Sequence, residues 1–260
     1  GMGYLTSNQL DQAIAEFEEL GRQSAAVPLV QYRLASAYLR RGRPRDALAR
    51  LEEVAKFFDK VADYHIERGR ALLALGRLDE AIMAAGTAQR LSPQAPQPYL
   101  LMGQARAQQG NARAAREMFV KAAGVDATYA AAHLALGGLD VAEKDIASAL
   151  REFDAAVKAD PKSLVAAQAK AATLVRDNRP KEAIAFVEEA VKGDPRNPGF
   201  HTLLGGLHLR AGQWAEATRA FQRALEISPR SPGPRLGLAR VALAQQREDE
   251  AIVQLQAVVK

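Results

Sequence analysis

The sequence predicts an all-α protein made of repeated pairs of antiparallel helices. Three observations point to this fold class: the composition, a series of small residues with a fixed spacing, and turn residues between segments of helix length. Apolar residues make up 48% of the 260 residues and aromatic residues only 6%. Such an alanine-rich, aromatic-poor chain favours helices over sheets and has enough apolar surface to bury a core.

An alanine recurs every 34 residues along the chain without an insertion or deletion. The series is Ala13, Ala47, Ala81, Ala115, Ala149, Ala183, Ala217 and Ala251. Twelve positions before each of the last seven of these alanines lies a small residue, namely Ala35, Gly69, Gly103, Gly137, Ala171, Gly205 and Ala239. Four positions later the residue is mostly large and apolar, as in Phe17, Leu51, Phe119, Phe153, Val187, Phe221 and Leu255, with Ala85 as the exception. Small residues let two helices approach closely, and a large residue one turn later fills the space beside the contact.

Glycine and proline mark the helix ends within each repeat. Four glycines end the first helix of a repeat: Gly42, Gly76, Gly110 and Gly212. Prolines stand where a missing N–H is harmless, in the first turn of second helices (Pro44, Pro180) and of first helices (Pro28, Pro96, Pro198, Pro232). The pattern predicts fifteen helices of about a dozen residues, with no segment of strand periodicity.

These residues resemble the tetratricopeptide repeat family, whose 34-residue pattern is W-x2-L-G-x2-Y, then A-x3-F, then P. The best copies are His201, Leu204, Gly205, His208, Ala217, Phe221 and Pro229, and His133, Leu136, Gly137, Ala149, Phe153 and Pro161. The resemblance covers the whole chain and implies a right-handed superhelical α-solenoid, formed as a single domain over 1–260. Its repeats are expected near 3–27, 28–61, 62–95, 96–129, 130–163, 164–197, 198–231 and 232–260.

Both ends of this array carry apolar residues that a neighbouring helix would normally cover. Ile252, Leu255 and Val259 are expected to lie bare at one end, and part of Leu10, Ile14 and Phe17 at the other. We therefore expect a segment of a longer protein, or ends that associate with another copy. A short bare face that is simply tolerated is the alternative.

In the family, first helices line the concave face and five positions of each repeat contact ligands: the second, fifth, ninth, twelfth and thirteenth. The resemblance thus implies a peptide-binding groove formed by Tyr32, Leu39, Arg40, Ile66, Arg70, Leu73, Leu100, Gln104, Leu134, Val141, Gln168, Arg176, Thr202, Leu209, Arg210, Leu236 and Arg240. Five arginines and a single acid, Asp63, occupy these positions. Because guanidinium binds carboxylates bidentately, an apolar peptide with acidic groups suits the groove. Alternatively, the aliphatic residues pack between first helices and the arginines are solvated.

Sequence motifs of other functions are missing. The lysine and asparagine clamp with which some family members bind chaperone tails occurs in no repeat, so chaperone binding is not implied. His65, His133 and His201 stand two repeats apart and are expected to pack rather than to share a metal. No nucleotide-binding loop or nucleophile elbow is found, and the chain has no cysteine. We expect neither catalysis nor a cofactor.

Two groups of charged residues depart from the pattern. Arg68 and Lys170 occupy an otherwise apolar position, in repeats whose facing residue is reduced to Ala85 or Val187. We expect their aliphatic stems to fill the vacated space and their charged tips to reach water or an acid. Arg40, Arg41, Arg43, Arg45 and Arg50 surround one turn, without an aromatic residue for base stacking.

The sequence therefore predicts a non-catalytic scaffold that binds a protein or peptide partner in its concave groove. The family resemblance suggests a bacterial envelope, polysaccharide-export or secretion assembly. An alternative is the substrate-recruiting arm of a larger enzyme such as a glycosyltransferase, and a minor one is nucleic-acid binding, which a net charge of +5 does not favour. No apolar stretch approaches the ~18 residues of a membrane span, so no membrane insertion is expected. The compartment, cytoplasm or periplasm, stays open.

Overall fold

A computed structural model describes residues 7–23 and 27–259 of the chain, and these residues form sixteen helices and no strand. The first helices of the repeats are α2 (Pro28–Arg40), α5 (Ala62–Ala74), α7 (Pro96–Gln108), α9 (Ala130–Ala142), α11 (Leu164–Arg176), α13 (Pro198–Arg210) and α15 (Pro232–Ala244). The second helices are α1 (Ser7–Gln23), α3 (Pro44–Glu53) continued by α4 (Ala55–Phe58), α6 (Leu78–Leu91), α8 (Ala112–Val125), α10 (Ile146–Ala159), α12 (Pro180–Gly193), α14 (Trp214–Ile227) and α16 (Glu248–Val259). First helices begin every 34 residues, which confirms the predicted all-α fold of helix pairs.

The sixteenth helix arises because one predicted second helix is interrupted at Val54. The backbone there has φ −106° and ψ 5°, and the Val54 amide donates to the Leu51 carbonyl at 3.3 Å. The short α4 that follows holds the Phe58 ring 5.1 Å from that of Tyr32 and 6.2 Å from that of Tyr64. The stacking of this partly buried ring offsets the stability that is lost where the helix is interrupted. The expectation of one continuous helix was wrong here.

The chain divides into two compact units, Gly1–Ala135 and Leu136–Lys260. In the first unit, α5 contacts both α2 and α7, and in the second, α13 contacts both α11 and α15. Among the described residues, no two second helices from successive repeats pack together to a similar extent. First helices are thus the more closely spaced layer of each unit, as expected for an inner face.

The predicted alanine series lies in the core. Six of its members have 0% exposed surface: Ala47, Ala81, Ala115, Ala149, Ala183 and Ala217. The small and large residues beside them meet as predicted. A Cβ placed on Gly137 would lie 2.5 Å from the ring of Phe153, and Gly103 and Phe119 are arranged in the same way. Only a residue without a side chain allows the ring to lie this close to the first helix.

The four glycines predicted to end first helices have positive φ angles of 72–77°. Three residues with side chains occupy the same position of other repeats: Lys144 (φ 65°), Asn178 (φ 58°) and Gln246 (φ 61°). All seven repeats with a complete helix pair therefore use the same left-handed turn, whatever the residue.

The two ends of the described helices differ from each other. Ile252 and Leu255 in α16 are 50% and 41% exposed, as expected, whereas the side chain of Val259 lies outside the described residues. Ile14, expected to lie partly bare, is only 5% exposed because it packs against Leu34 of α2. Within the described residues, no helix combines the length and the apolar character needed to cross a membrane.

Candidate functional site

A cavity of about 1110 Å³ lies between α11, α13 and α15 of the second unit. Seven of the residues predicted for the groove line it: Gln168, Arg176, Thr202, Leu209, Arg210, Leu236 and Arg240. They come from three consecutive first helices, so their equivalent positions in the 34-residue repeat bring them together. We call this space the second-unit cavity.

Small residues open the second-unit cavity. Ala172, Gly199, Gly206 and Gly233 line it, and none of them was among the predicted site residues. A Cβ on Gly206 would meet no atom within 4 Å, so the backbone of α13 faces open space there. The hydroxyl of Thr202 donates to the Pro198 carbonyl at 2.7 Å and is thereby engaged by its own helix. In the sequence, this recess is indicated by glycines at the second and ninth positions of neighbouring repeats.

The charges around the second-unit cavity are all positive. Arg176, Arg210 and Arg240 are exposed, and none forms a salt bridge with a described residue. No acidic residue lines this cavity. Unpaired guanidinium groups beside an apolar recess can accept carboxylates without first breaking an internal ion pair.

The first unit has a cavity of about 780 Å³ between α1, α2 and α5. It is lined by five predicted residues, Tyr32, Leu39, Arg40, Ile66 and Arg70, and also by Arg33, Asp63 and Glu67.

Acidic residues change the electrostatics of this first-unit cavity. Arg70 Nη1 lies 2.9 Å from Glu67 Oε1. Burial raises the pKa of the Tyr32 hydroxyl, and the carboxylates of Glu67 and Asp63 raise it further. Ile66 is buried, which agrees with the alternative in which aliphatic residues of these positions pack between first helices. The positive bias predicted for the whole groove is therefore offset in this unit.

The remaining predicted groove residues line neither cavity. They are Leu73, Leu100, Gln104, Leu134 and Val141. Leu73 packs against a core cluster that contains Leu48 and Leu72. The alternative in which twelfth-position aliphatic residues pack between helices describes Leu73 well.

The three repeated histidines donate hydrogen bonds to backbone carbonyls six residues earlier. His65 Nε2 lies 2.8 Å from Asp59 O, His133 Nε2 3.0 Å from Ala127 O, and His201 Nε2 2.9 Å from Pro195 O. These side chains tie a first helix to the turn that precedes it. No group of three histidine or carboxylate side chains that could hold a metal occurs in the described parts of the chain.

Lys170 reaches an acid, as predicted. Its Nζ lies 2.6 Å from Asp154 Oδ1 in α10 and 4.1 Å from the centre of the Phe186 ring in α12, and the side chain is 20% exposed. Lys170 thus links three consecutive helices. Arg68 is likewise half-buried.

The arginines around the turn at residues 40–50 are largely paired with acids. Arg41 lies 2.7 Å from Asp11, Arg43 2.6 Å from Asp46, and Arg50 2.8 Å from Glu53. These pairs neutralise the patch that would have bound phosphate, which weakens the nucleic-acid alternative.

Comparison with solved structures places the fold among helical repeat proteins. A tetratricopeptide repeat protein from Parabacteroides merdae has a TM-score of 0.60 at 18% identity, over 90% of this chain and 93% of that one. For Pseudomonas aeruginosa pilF the TM-score is 0.58 at 17% identity, over 76% and 90% of the two chains. Yeast Tom70 has a TM-score of 0.65 at 17% identity, and the match spans 97% of this chain but 62% of Tom70. No curated protein sequence matches this chain.

Family models described as tetratricopeptide repeat match residues 32–96, 100–163 and 168–232, and a second such model matches residues 208–260. Together they cover most of the chain, in agreement with the buried alanine series and the repeated helix pairs. Proteins of this kind are typically non-catalytic adaptors for other proteins. This chain belongs to the tetratricopeptide repeat family.

Proposed function

We propose that this protein is a non-catalytic scaffold that binds a segment of a partner protein on its first helices. The observation that carries the proposal is the second-unit cavity, where three successive first helices leave an open apolar recess beside three exposed arginines. Apolar clefts with a few convergent polar groups are the usual form of ligand sites.

The cavity between the first helices favours a binding role for these helices over a purely structural one. A core packs at high density, so a recess of this size among first helices of equal length is not needed for stability. The glycines that open it, such as Gly206, instead lower helix propensity. Their presence at the recess is explained if a partner's side chains fill the space.

A blocking substitution tests the proposal. Gly206→Phe places a ring in the recess, whereas Gly138→Phe places the same ring at the equivalent ninth position of α9, which lines neither cavity. A Cβ at either glycine meets no atom within 4 Å, so both variants are expected to fold. Each tagged variant is purified from the source cell, and its co-purifying proteins are identified by mass spectrometry.

The proposal predicts partners that are retained by the wild type and by Gly138→Phe but lost from Gly206→Phe. Circular dichroism melting curves verify that the variants remain folded. A set of partners that is identical in all three samples would show that the cavity is not the binding site.

The assembly that contains the partner is a separate proposal. The family resemblance suggests a bacterial envelope, polysaccharide-export or secretion assembly, and the identities of the cavity-dependent partners test this directly.

A further inference from the structure

We propose that the second-unit cavity recognises a partner segment in which a large apolar side chain is flanked by carboxylates. This inference rests on the proposed function and adds the chemistry of the ligand. Three features carry it: the volume of the recess, the distribution of its charges, and the contrast with the first unit.

The recess has room for a large side chain. Small residues of three consecutive first helices, Ala172, Gly206 and Gly233, line it together with the aliphatic residues Leu209 and Leu236. Its volume of about 1110 Å³ slightly exceeds the range of roughly 300–1000 Å³ typical of ligand pockets. Burying a Phe, Leu or Met side chain there removes apolar surface from water on both partners.

The arginines stand around the recess on three different helices. Arg176 and Arg210 are the last residues of α11 and α13, and Arg240 lies one turn before the end of α15. A segment whose apolar residue enters the recess therefore meets guanidinium groups from more than one helix. Carboxylates close to the apolar residue in sequence can bind them bidentately.

In the first-unit cavity, by contrast, the positive charges are offset by acidic residues of the same lining. There Glu67 already pairs with Arg70, and Asp63 lies in the same lining. An acidic segment would have to compete with these carboxylates. In the second unit no such competitor is present among the lining residues, so an acidic segment is expected to bind there in preference.

A polypeptide is favoured over a nucleic acid as the acidic ligand. Sequence-tolerant binding of single strands depends on exposed aromatic rings on which bases stack. The aromatic residue that lines the cavity is Phe221, and its ring is buried against the backbone of α13 and α15. The guanidinium groups could hold phosphates, but the recess offers bases no stacking surface.

A random-peptide display library panned on the whole chain tests the ligand chemistry. Bound phage are compared between the wild type, Gly206→Phe and the matched control Gly138→Phe. We expect the peptides lost only with Gly206→Phe to contain a large apolar residue with aspartate or glutamate within a few positions. Cavity-dependent peptides that are neutral or basic would overturn the ligand chemistry but leave the proposed function intact. If no peptide depends on the cavity, both proposals fail.

A synthetic peptide of the selected sequence then measures the role of charge by fluorescence anisotropy. Replacing its acids by the corresponding amides, or Arg210 by glutamine in the protein, is expected to weaken binding about tenfold, the effect of losing one charge-assisted hydrogen-bonded pair. Arg113→Gln, an exposed arginine of α8, is the control that leaves the affinity unchanged. Equal affinity for acid and amide peptides, or displacement of the peptide by an oligothymidylate at equal concentration, would overturn the inference.

Discussion

The ring of Phe221 occupies the space in which a side chain on Gly205 would lie, since a Cβ built there would come within 2.7 Å of the ring. The next residue, Gly206, has nothing within 4 Å of the equivalent position. Two adjacent glycines of α13 therefore have opposite surroundings. Gly205 lets α14 approach, and Gly206 opens the second-unit cavity.

Alanine substitutions at these two positions are predicted to have opposite effects on stability. Gly205→Ala forces the Phe221 ring to move and is expected to lower the free energy of unfolding by about 1–3 kcal/mol. Gly206→Ala has room and improves helix propensity, so it is expected to raise this free energy by about 0.5–1 kcal/mol. Urea unfolding followed by circular dichroism measures both. Loss of stability in both variants would contradict the open space assigned to Gly206.

Residues that adopt the left-handed conformation after first helices give a second prediction. Lys144 has φ 65° and the turn hydrogen bond from the Asp145 amide to the Asp140 carbonyl, 2.9 Å, that glycine makes possible elsewhere. Because a side chain is strained in this region, Lys144→Gly is expected to stabilise the protein by about 1 kcal/mol.

The reverse substitution Gly76→Ala is expected to destabilise it by a similar amount of about 1 kcal/mol. Asn178→Gly is the control, because asparagine tolerates this conformation and its replacement should change the melting temperature less. A melting temperature of Lys144→Gly at or below that of the wild type would show that the turn is not strained.

The sequence was informative where the repeat period determines the contact, and less so where a contact depends on one repeat. Ala217 and the meeting of Gly205 with Phe221 follow from the 34-residue period, because every repeat solves the same packing problem. The pairing of Arg70 with Glu67 could not be predicted from the five ligand columns, since Glu67 lies outside them. The recess at Gly206 requires small residues to coincide on three neighbouring helices, which single columns do not reveal.

The partly buried side chain of Lys170 gives a third prediction. Its ammonium group bridges Asp154 and the Phe186 ring, and its stem occupies a position that is apolar in most repeats. Lys170→Met retains the stem and loses the charge, so a destabilisation of about 1 kcal/mol is expected, whereas Lys170→Ala also loses packing and should cost more.

A double-mutant cycle of Lys170→Met with Asp154→Asn isolates the ion pair. We expect a coupling energy of about 0.5–1 kcal/mol, and a smaller one for the exposed pair of Lys192 and Glu189 treated in the same way. Equal coupling in the two cycles would mean that the partly buried position of Lys170 adds nothing.

Acid sensitivity is predicted at the start of two second helices. Arg179 holds Glu182 with two hydrogen bonds of 2.7 Å, and Arg77 holds Glu80 in the same way. The hydrogen bonds from arginine lower the pKa of both carboxyl groups below the ordinary value of 4.5. A lowered pKa in the folded state stabilises the fold above pH 4.5, and this contribution is lost as the pH falls through the folded-state pKa.

Glu182→Gln and Glu80→Gln together should therefore flatten the decline of the free energy of unfolding between about pH 5 and pH 3, measured by urea unfolding at each pH. Glu117→Gln, which removes a carboxylate 3.5 Å from Arg113, should change that slope less. A slope that is the same in the double variant and the wild type would show that these two arginine pairs do not contribute to acid unfolding.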